Sequence, residues 1–394
     1  MAKYIEDEYE DERPRKKSSS GSRNGGNRSS GKKSTGRNGS GKKSSKKEQA
    51  KKQRRRIIIF IVEIIILVVA VFALYSVLTA TQTGKVEISD KDIIINDTVK
   101  QAEETTMKGY RNIALFGVDS TSGALTKNTR SDTIMIASIN QDTGECKLVS
   151  VYRDTYLNLS NDSYNKCNAA YAKGGPEMAI SMLNMNLDMN ITDFVTVGFA
   201  GLTDTVDALG GVYIDVDDAE ILHLNNYQLC IAEDLKRSYT PVTSTGYQLL
   251  DGLQATGYCR IRYTAGDDFK RAERQREVLS AVADQAKKAS LPKLTETANS
   301  VFNETYTSLD LSEIVEMLGN VSKYYISDTA GFPQESNRAT GTIGTKGSCV
   351  IPVSLEDNVK WLHQFLFNDY EYEPSATVKE CSDKIYSDTN GYLK

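Results

Sequence analysis

Arg260 and Arg262, in the run Tyr258-Cys259-Arg260-Ile261-Arg262, are the residues of this sequence that speak most directly of chemistry. On a strand, residues i and i+2 point to the same face, so the pair would present two guanidinium forks side by side. Guanidinium is the side chain best matched to bidentate phosphate contacts. A second basic cluster, Lys270, Arg271, Arg274, Gln275 and Arg276, follows at once, and Arg153 stands far upstream in Val151-Tyr152-Arg153-Asp154-Thr155. Their convergence in an acidic region points to a di- or polyphosphate site. Carboxylates recur at the ends of apolar runs. Asp119 closes Ile113 to Val118, Asp132 precedes Thr133 to Ile139 within Arg130-Ser131-Asp132-Thr133, and Asp154 follows Lys147 to Tyr152. Strand ends bordering a cleft are where α/β sheets bind ligands. Asp119 and Asp132 could hold a hard divalent cation such as Mg2+ through oxygen. Taken singly, each reads first as an ordinary turn or capping carboxylate; beside three arginine groups the metal–phosphate reading gains ground.

Other chemistries fit poorly. The two histidines, His223 and His363, belong to no metal-ligand pattern and read as surface or partly packed side chains. No Gly-x-Ser-x-Gly elbow, Walker loop or Gly-x-Gly-x-x-Gly fingerprint occurs.

The net charge of −4 conceals two opposite regions. Residues 1–56 carry 19 Lys+Arg against 7 Asp+Glu; with chain totals of 48 and 52, the remainder carries 29 against 45. The basic segment is rich in Gly, Ser, Lys, Arg and Asn, too poor in apolar surface to offset chain entropy, and reads as a disordered tail. From Ile57 to about Ala80 the chain is apolar with one charge, Glu63, long enough for a single transmembrane helix. The Lys/Arg excess before it predicts a cytoplasmic N-terminus and an extracytoplasmic remainder. Glu63 would reach toward the interface or join a helix–helix contact.

The elements that must position the arginines alternate between strand and helix patterns. Residues 81–108 read as a stalk. Strands are expected at Ile113 to Val118, Thr133 to Ile139, Lys147 to Tyr152, Phe194 to Phe199 and Val212 to Val216. Helices are expected at Pro176 to Leu187, Gly201 to Leu209, Leu249 to Tyr258 and Phe269 to Lys288, the last closed by Pro292. The alternation favours an α/β fold, a mixed αβα sandwich spanning 109–370, and residues 371–394 read as a loose polar tail.

Eight short motifs in register resemble the LytR-CpsA-Psr family. They are Arg111 to Asp119, Arg130 to Thr133, Ser150 to Thr155, Lys166 to Tyr171, Gly174 to Glu177, Asp207 to Val212, Tyr258 to Arg262 and Asp267 to Gln275, and they cover roughly residues 105–290. The resemblance implies a phosphotransferase that moves a glycopolymer (teichoic acid, capsular or related polysaccharide) from a polyprenyl-pyrophosphate carrier to peptidoglycan through a phosphodiester. It implies a long apolar pocket for the prenyl tail and Mg2+ (or Mn2+) at the pyrophosphate. Asp119 and Asp132 match the family's metal-site acids. Arg130, Arg153, Arg260, Arg262 and Arg271 match its pyrophosphate arginines, Lys166 a further basic contact and Gln275 a polar neighbour. Arg153, Asp119, Arg260 and Arg262 would carry catalysis. The expected partners are the lipid-linked donor, peptidoglycan and membrane lipid. No nucleic-acid partner is expected for the folded domain, which would lie across the membrane from DNA and has no helix-turn-helix signature. A pyrophosphatase using the same arginines and a membrane-bound regulator are the alternatives. Six cysteines on the outer side suggest disulfides, with Cys230 to Cys259 a candidate bridge across the insert 220–248.

Overall fold

The computed structural model describes residues 84–88, 92–120, 125–126 and 128–392. The basic segment 1–56, the apolar run 57–80 and Glu63 lie outside them. Among the described residues no helix is long and apolar enough to cross a membrane.

The strands are β1 (Gly84–Lys85), β2 (Tyr110–Val118), β3 (Ser131–Asn140), β4 (Glu145–Val151), β5 (Tyr156–Asn158), β6 (Tyr164–Lys166), β7 (Asp193–Val197), β8 (Val212–Val216), β9 (Gly246–Leu250), β10 (Thr305–Thr307), β11 (Tyr325–Phe332), β12 (Arg338–Thr342) and β13 (Ser348–Pro352). The helices are α1 (Asp97–Ala102), α2 (Asn168–Leu187), α3 (Phe199–Leu209), α4 (Asp218–Leu235), α5 (Gly252–Tyr258), α6 (Asp267–Lys288), α7 (Leu291–Val301), α8 (Leu311–Gly319), α9 (Leu355–Phe367) and α10 (Ala376–Thr389). Among the described residues the main sheet has seven strands in the order β1-β10-β7-β2-β3-β4-β11. It is mixed: β2 runs antiparallel to β3 and parallel to β7, and β3 runs antiparallel to β4.

Period-2 alternation sends successive side chains to opposite faces, and both faces are apolar. Ala114, Phe116, Val118, Ile134, Ile136, Val149 and Val151 face a core shared with α2, α9 and α10. Leu115, Ala137, Ile139, Cys146 and Leu148 pack the other way, with Leu279 of α6. Helices therefore cover both sides, which gives the αβα layering. A second core joins α3, α4, α5 and the β8–β9 hairpin to Val278 of α6.

Several expectations are corrected. Arg260 and Arg262 lie on no strand; they follow α5 in a turn and loop, held by Arg260 N to Gly257 O at 3.0 Å and Ile261 N to Tyr258 O at 3.3 Å. The helix expected from Leu249 divides: Leu249 and Leu250 close β9, and Asp251 caps α5 with its side chain accepting from Gln254 N at 2.9 Å. Helix α2 begins at Asn168 and kinks at Gly174 and Gly175, the latter at φ 70°, just before Pro176. Pro292 opens α7 rather than ending α6.

The stalk and the tail are both part of the domain. Ile93, Val99, Ala102 and Met107 enter the main core, as do Val378, Cys381 and Ile385 of α10. Buried Asp188 ties the two segments together, accepting from Asn96 Nδ2 at 2.6 Å and Ser375 N at 2.7 Å. The apolar stripe of α10 is one residue wide, which is why its polar composition suggested a tail. His363 is fully buried, bonded to the Leu187 carbonyl at 3.1 Å and stacked on Tyr372 at 3.5 Å; burial pushes its pKa down to about 4. All six cysteines are free thiols. Cys259 faces an internal cavity and Cys230 lies on the outer surface of α4, so the expected bridge is not made.

Candidate functional site

The site forms where the ends of β2, β3 and β4 meet the first turn of α6. Register along the β2–β3 ladder shifts between Gly117, opposite Thr133, and Val118, opposite Ser131. Asp132 is the extra residue, and such a bulge re-aims a side chain. Gly117 allows the close approach: a Cβ there would stand 2.8 Å from Thr133 Oγ1. Helix α6 starts at Gly266, φ 94°, with Asp267 and Asp268 in its first turn, where carboxylates oppose the positive end of the helix dipole.

Three guanidinium groups converge on Asp268. Arg153 Nη2 lies 3.4 Å from it, Arg271 Nη2 3.4 Å, and Arg262 approaches with Nε at 3.1 Å and Nη2 at 3.4 Å. Asp132 bridges two of the same arginines, at 2.8 Å to Arg153 Nη1 and 3.7 Å to Arg271 Nη1. Burial raises the Asp268 pKa, but Arg271, Arg153 and Arg262 more than offset it and hold the carboxyl below its ordinary range. Burial and the neighbouring Arg153 depress Arg271. Arg153 Nε is buried with no hydrogen-bond partner among the described residues, a donor free to meet an incoming oxygen.

Arg260 sits apart from this knot. Its guanidinium lies over the rings of Phe199, at 4.3 Å, and Tyr227, at 5.3 Å, and reaches Asp119 only at 3.9 Å. Asp119 keeps a half-exposed carboxylate. Lys166 pairs with Asp154 at 3.2 Å and touches the cluster only through it. Gln275 reaches the Cys259 carbonyl at 3.4 Å. Arg130 is exposed and makes no ion pair among the described residues. The second basic cluster separates by helix face: Lys270 pairs with Glu273, Arg274 is buried structure, and Arg276 points away from the site.

Behind the arginines opens a cavity of about 330 Å³. Its walls are Leu115 and Met135 of the sheet, Val195 and Val197 of β7, Leu202 of α3 and Val278, Leu279 and Val282 of α6, while Asp119, Asp132, Arg260, Arg262, Arg271 and Gln275 stand at its polar side. Among the described residues no cluster of three His, Cys, Asp or Glu side chains could cage a metal. The carboxylates that could offer oxygen are Asp119 and Asp132, each already paired with an arginine. Mg2+ is commonly held by one or two carboxylates with substrate phosphates completing its shell, and in number and chemistry these two carboxylates are compatible with that.

Asp268 falls within the Asp267 to Gln275 motif but is not among the site residues expected from sequence; the signal that singles it out is its position one turn before Arg271. Phe199 and Tyr227, the shelf for Arg260, gave no sequence signal at all.

An αβα domain with an arginine-rimmed apolar cavity is complementary to an amphiphile with an anionic head. The chain belongs to the LytR_cpsA_psr family, whose model matches residues 74–347. It is similar to the polyisoprenyl-teichoic acid–peptidoglycan teichoic acid transferase TagU of Oceanobacillus iheyensis, with 30% identity over 217 residues, 53% of this chain and 62% of that protein. The chain thus spans less than two thirds of that curated relative's length. Among solved structures, TagT bound to LIIa-WTA aligns with a TM-score of 0.53 at 23% identity, over 68% of this chain and 93% of that one. Bacillus subtilis TagV aligns with a TM-score of 0.52 at 25% identity, over 68% and 99%.

Proposed function

We propose that this protein transfers a glycopolymer from a polyprenyl-pyrophosphate carrier to a peptidoglycan hydroxyl. The observation that carries the reading is the convergence of Arg153, Arg262 and Arg271 on Asp268, with Arg262 and Arg271 at the polar side of an apolar cavity. The name of the TagU relative and the teichoic-acid complex of TagT support it.

In this reading the prenyl tail lies in the cavity and the pyrophosphate meets the arginines, with Arg130 and Lys166 as outer contacts and Gln275 beside them. Arg153, Arg260 and Arg262 neutralise the phosphoryl oxygens as charge develops. The acceptor hydroxyl oxygen attacks the glycan-bearing phosphorus, the bridging P–O bond breaks, and polyprenyl phosphate leaves with the electron pair. The hydroxyl proton passes to a carboxylate of the site. Asp119 and Asp132 would hold a divalent cation, Mg2+ or Mn2+, which when bound supplies further neutralisation of the phosphates. Residues 57–80 anchor the chain as a single membrane span with the N-terminus cytoplasmic, which sets the domain beside a membrane-borne donor.

The full chain, incubated with a polyprenyl-pyrophosphate-linked glycopolymer and peptidoglycan, is expected to yield a polymer–peptidoglycan phosphodiester. Release of free glycan phosphate, with none joined to peptidoglycan, would instead assign a pyrophosphatase.

A further inference from the structure

Helix α6 has a second working face. Arg271, Gln275, Val278 and Val282 look into the apolar cavity, whereas Lys270, Glu273, Arg276, Glu277, Asp284 and Lys288 line a separate cleft of about 620 Å³. The opposite wall of that cleft is the β8–β9 hairpin, which contributes Tyr213, Asp215 and Tyr247. Nothing in the transfer reading uses it.

Three observations define what the cleft accepts. The first is an aromatic platform. Asp215 pairs with Tyr247 across the hairpin, so Tyr213 and Tyr247 are diagonal neighbours on one face. Their rings stack at 5.3 Å and 19°, and Tyr247 is 72% exposed. Lys288 Nζ stands over the Tyr213 ring at 5.8 Å, so Tyr247 offers the open ring face, backed by Tyr213 and suited to the apolar C–H face of a pyranose. The second is a ring of polar groups of both donor and acceptor type, including Asp215, Glu273, Asp284, Gln285, Ser280 and Lys288, which suits hydroxyls that both donate and accept. The third is Arg276. It lines the cleft, is 8% exposed, and its Nε and Nη1 have no hydrogen-bond partner among the described residues. A buried donor without an acceptor is costly and calls for a ligand oxygen.

Charge selects among saccharides. The carboxylates of Asp215, Asp217, Glu273, Glu277 and Asp284 outnumber Lys270, Lys288 and Arg276, so a polyphosphate chain is repelled. We propose that this cleft is a binding site for an uncharged glycan chain, with a sugar ring on Tyr247, which Tyr213 supports from behind, and sugar oxygens on the polar wall and Arg276. Such a chain could come from the wall's amino-sugar backbone or from a neutral polymer on the donor.

The test is titration calorimetry on the full chain in detergent, with chitotetraose, cellotetraose and poly(glycerol phosphate) as probes. A neutral tetrasaccharide is expected to bind saturably, with affinity falling about tenfold in Tyr247→Ala and further in the Tyr213→Ala/Tyr247→Ala pair. Arg276→Gln is expected to weaken the same probe. Both tyrosines are solvent-facing, so an unchanged melting temperature separates lost binding from lost fold. Preference for chitotetraose assigns the amino-sugar source, and preference for cellotetraose the donor source. Absence of binding by both neutral probes, equal binding by the double variant, or tighter binding of poly(glycerol phosphate) overturns the proposal. None of these measurements needs the lipid donor, so the outcome stands apart from that of the transfer assay.

Discussion

Arg274 of α6 and Glu220 of α4 form an ion pair of 2.7 Å, Nε to Oε1, with both side chains almost wholly removed from water. Every strong group of the pair is used. Glu220 Oε2 also accepts from Asp217 N at 3.0 Å, and Arg274 donates to the Ile261 carbonyl at 3.2 Å and Thr264 Oγ1 at 2.6 Å. The loop carrying Arg260 and Arg262 is thereby clamped to the helix carrying Arg271. A buried ion pair thus positions the arginines at the cavity's polar side without belonging to them.

Breaking that pair on one side leaves an uncompensated buried charge. Arg274→Ala and Glu220→Ala are each expected to cost about 3–5 kcal/mol of stability. Arg274→Met with Glu220→Leu should be less damaging than either single change. Chemical denaturation of the four proteins checks the order.

Arg153→Ala and Arg262→Ala are expected to lower transfer about 100- to 1,000-fold. Arg153→Lys should recover little, because a single ammonium nitrogen cannot stand at the separate positions from which Nη1 meets Asp132, Nη2 meets Asp268 and Nε remains a free donor. Rates with a lipid-linked polymer and peptidoglycan decide this, and normal transfer by both alanine variants would remove the arginines from the chemistry.

The cavity wall offers a test of where the lipid lies. Val197→Phe adds bulk to a space of about 330 Å³. KM for a long-chain prenyl donor should rise about tenfold or more while that for a short-chain analogue changes little. Equal effects on both chain lengths would place the prenyl tail elsewhere.

Glu304 supplies a pH signature outside the site. Burial, then the neighbouring Asp204 carboxylate, raises its pKa to about 7 from an ordinary 4.5. The folded state therefore binds that proton more tightly than the unfolded chain, and its contribution to stability declines as pH rises between those two values. Asp268 has the opposite sign: its depressed pKa makes its contribution present above the ordinary carboxylate range and lost on acidification. Glu304→Gln should flatten the pH dependence of stability between about pH 4.5 and 7, as read by melting temperature across that range.

Much of the αβα framework was legible in the chain because it is written in local patterns. Val212–Val216 was read at its observed bounds, and Ile113 to Val118 and Phe269 to Lys288 lie within β2 and α6. Asp119, Asp132, Arg260, Arg262, Arg271 and Gln275 were also visible in sequence as types and spacings, and the fold brings them together at the polar side of the cavity, with Arg153 joined to them through Asp132 and Asp268. What sequence could not decide was direction. Arg260 and Arg262 seemed a strand pair, yet the turn after α5 sends one to Asp119 and aromatic rings and the other to Asp268. Arg271, Arg274 and Arg276 look equivalent along the chain, but at 100° per residue they meet the carboxylates of Asp132 and Asp268, a buried glutamate and a separate polar cleft. Residue type and periodicity are properties of neighbours in sequence. Which guanidinium is spent on structure and which is left for a ligand depends on partners 54 and 115 positions away, Glu220 for Arg274 and Asp268 for Arg153, and those partners exist only once the chain has folded.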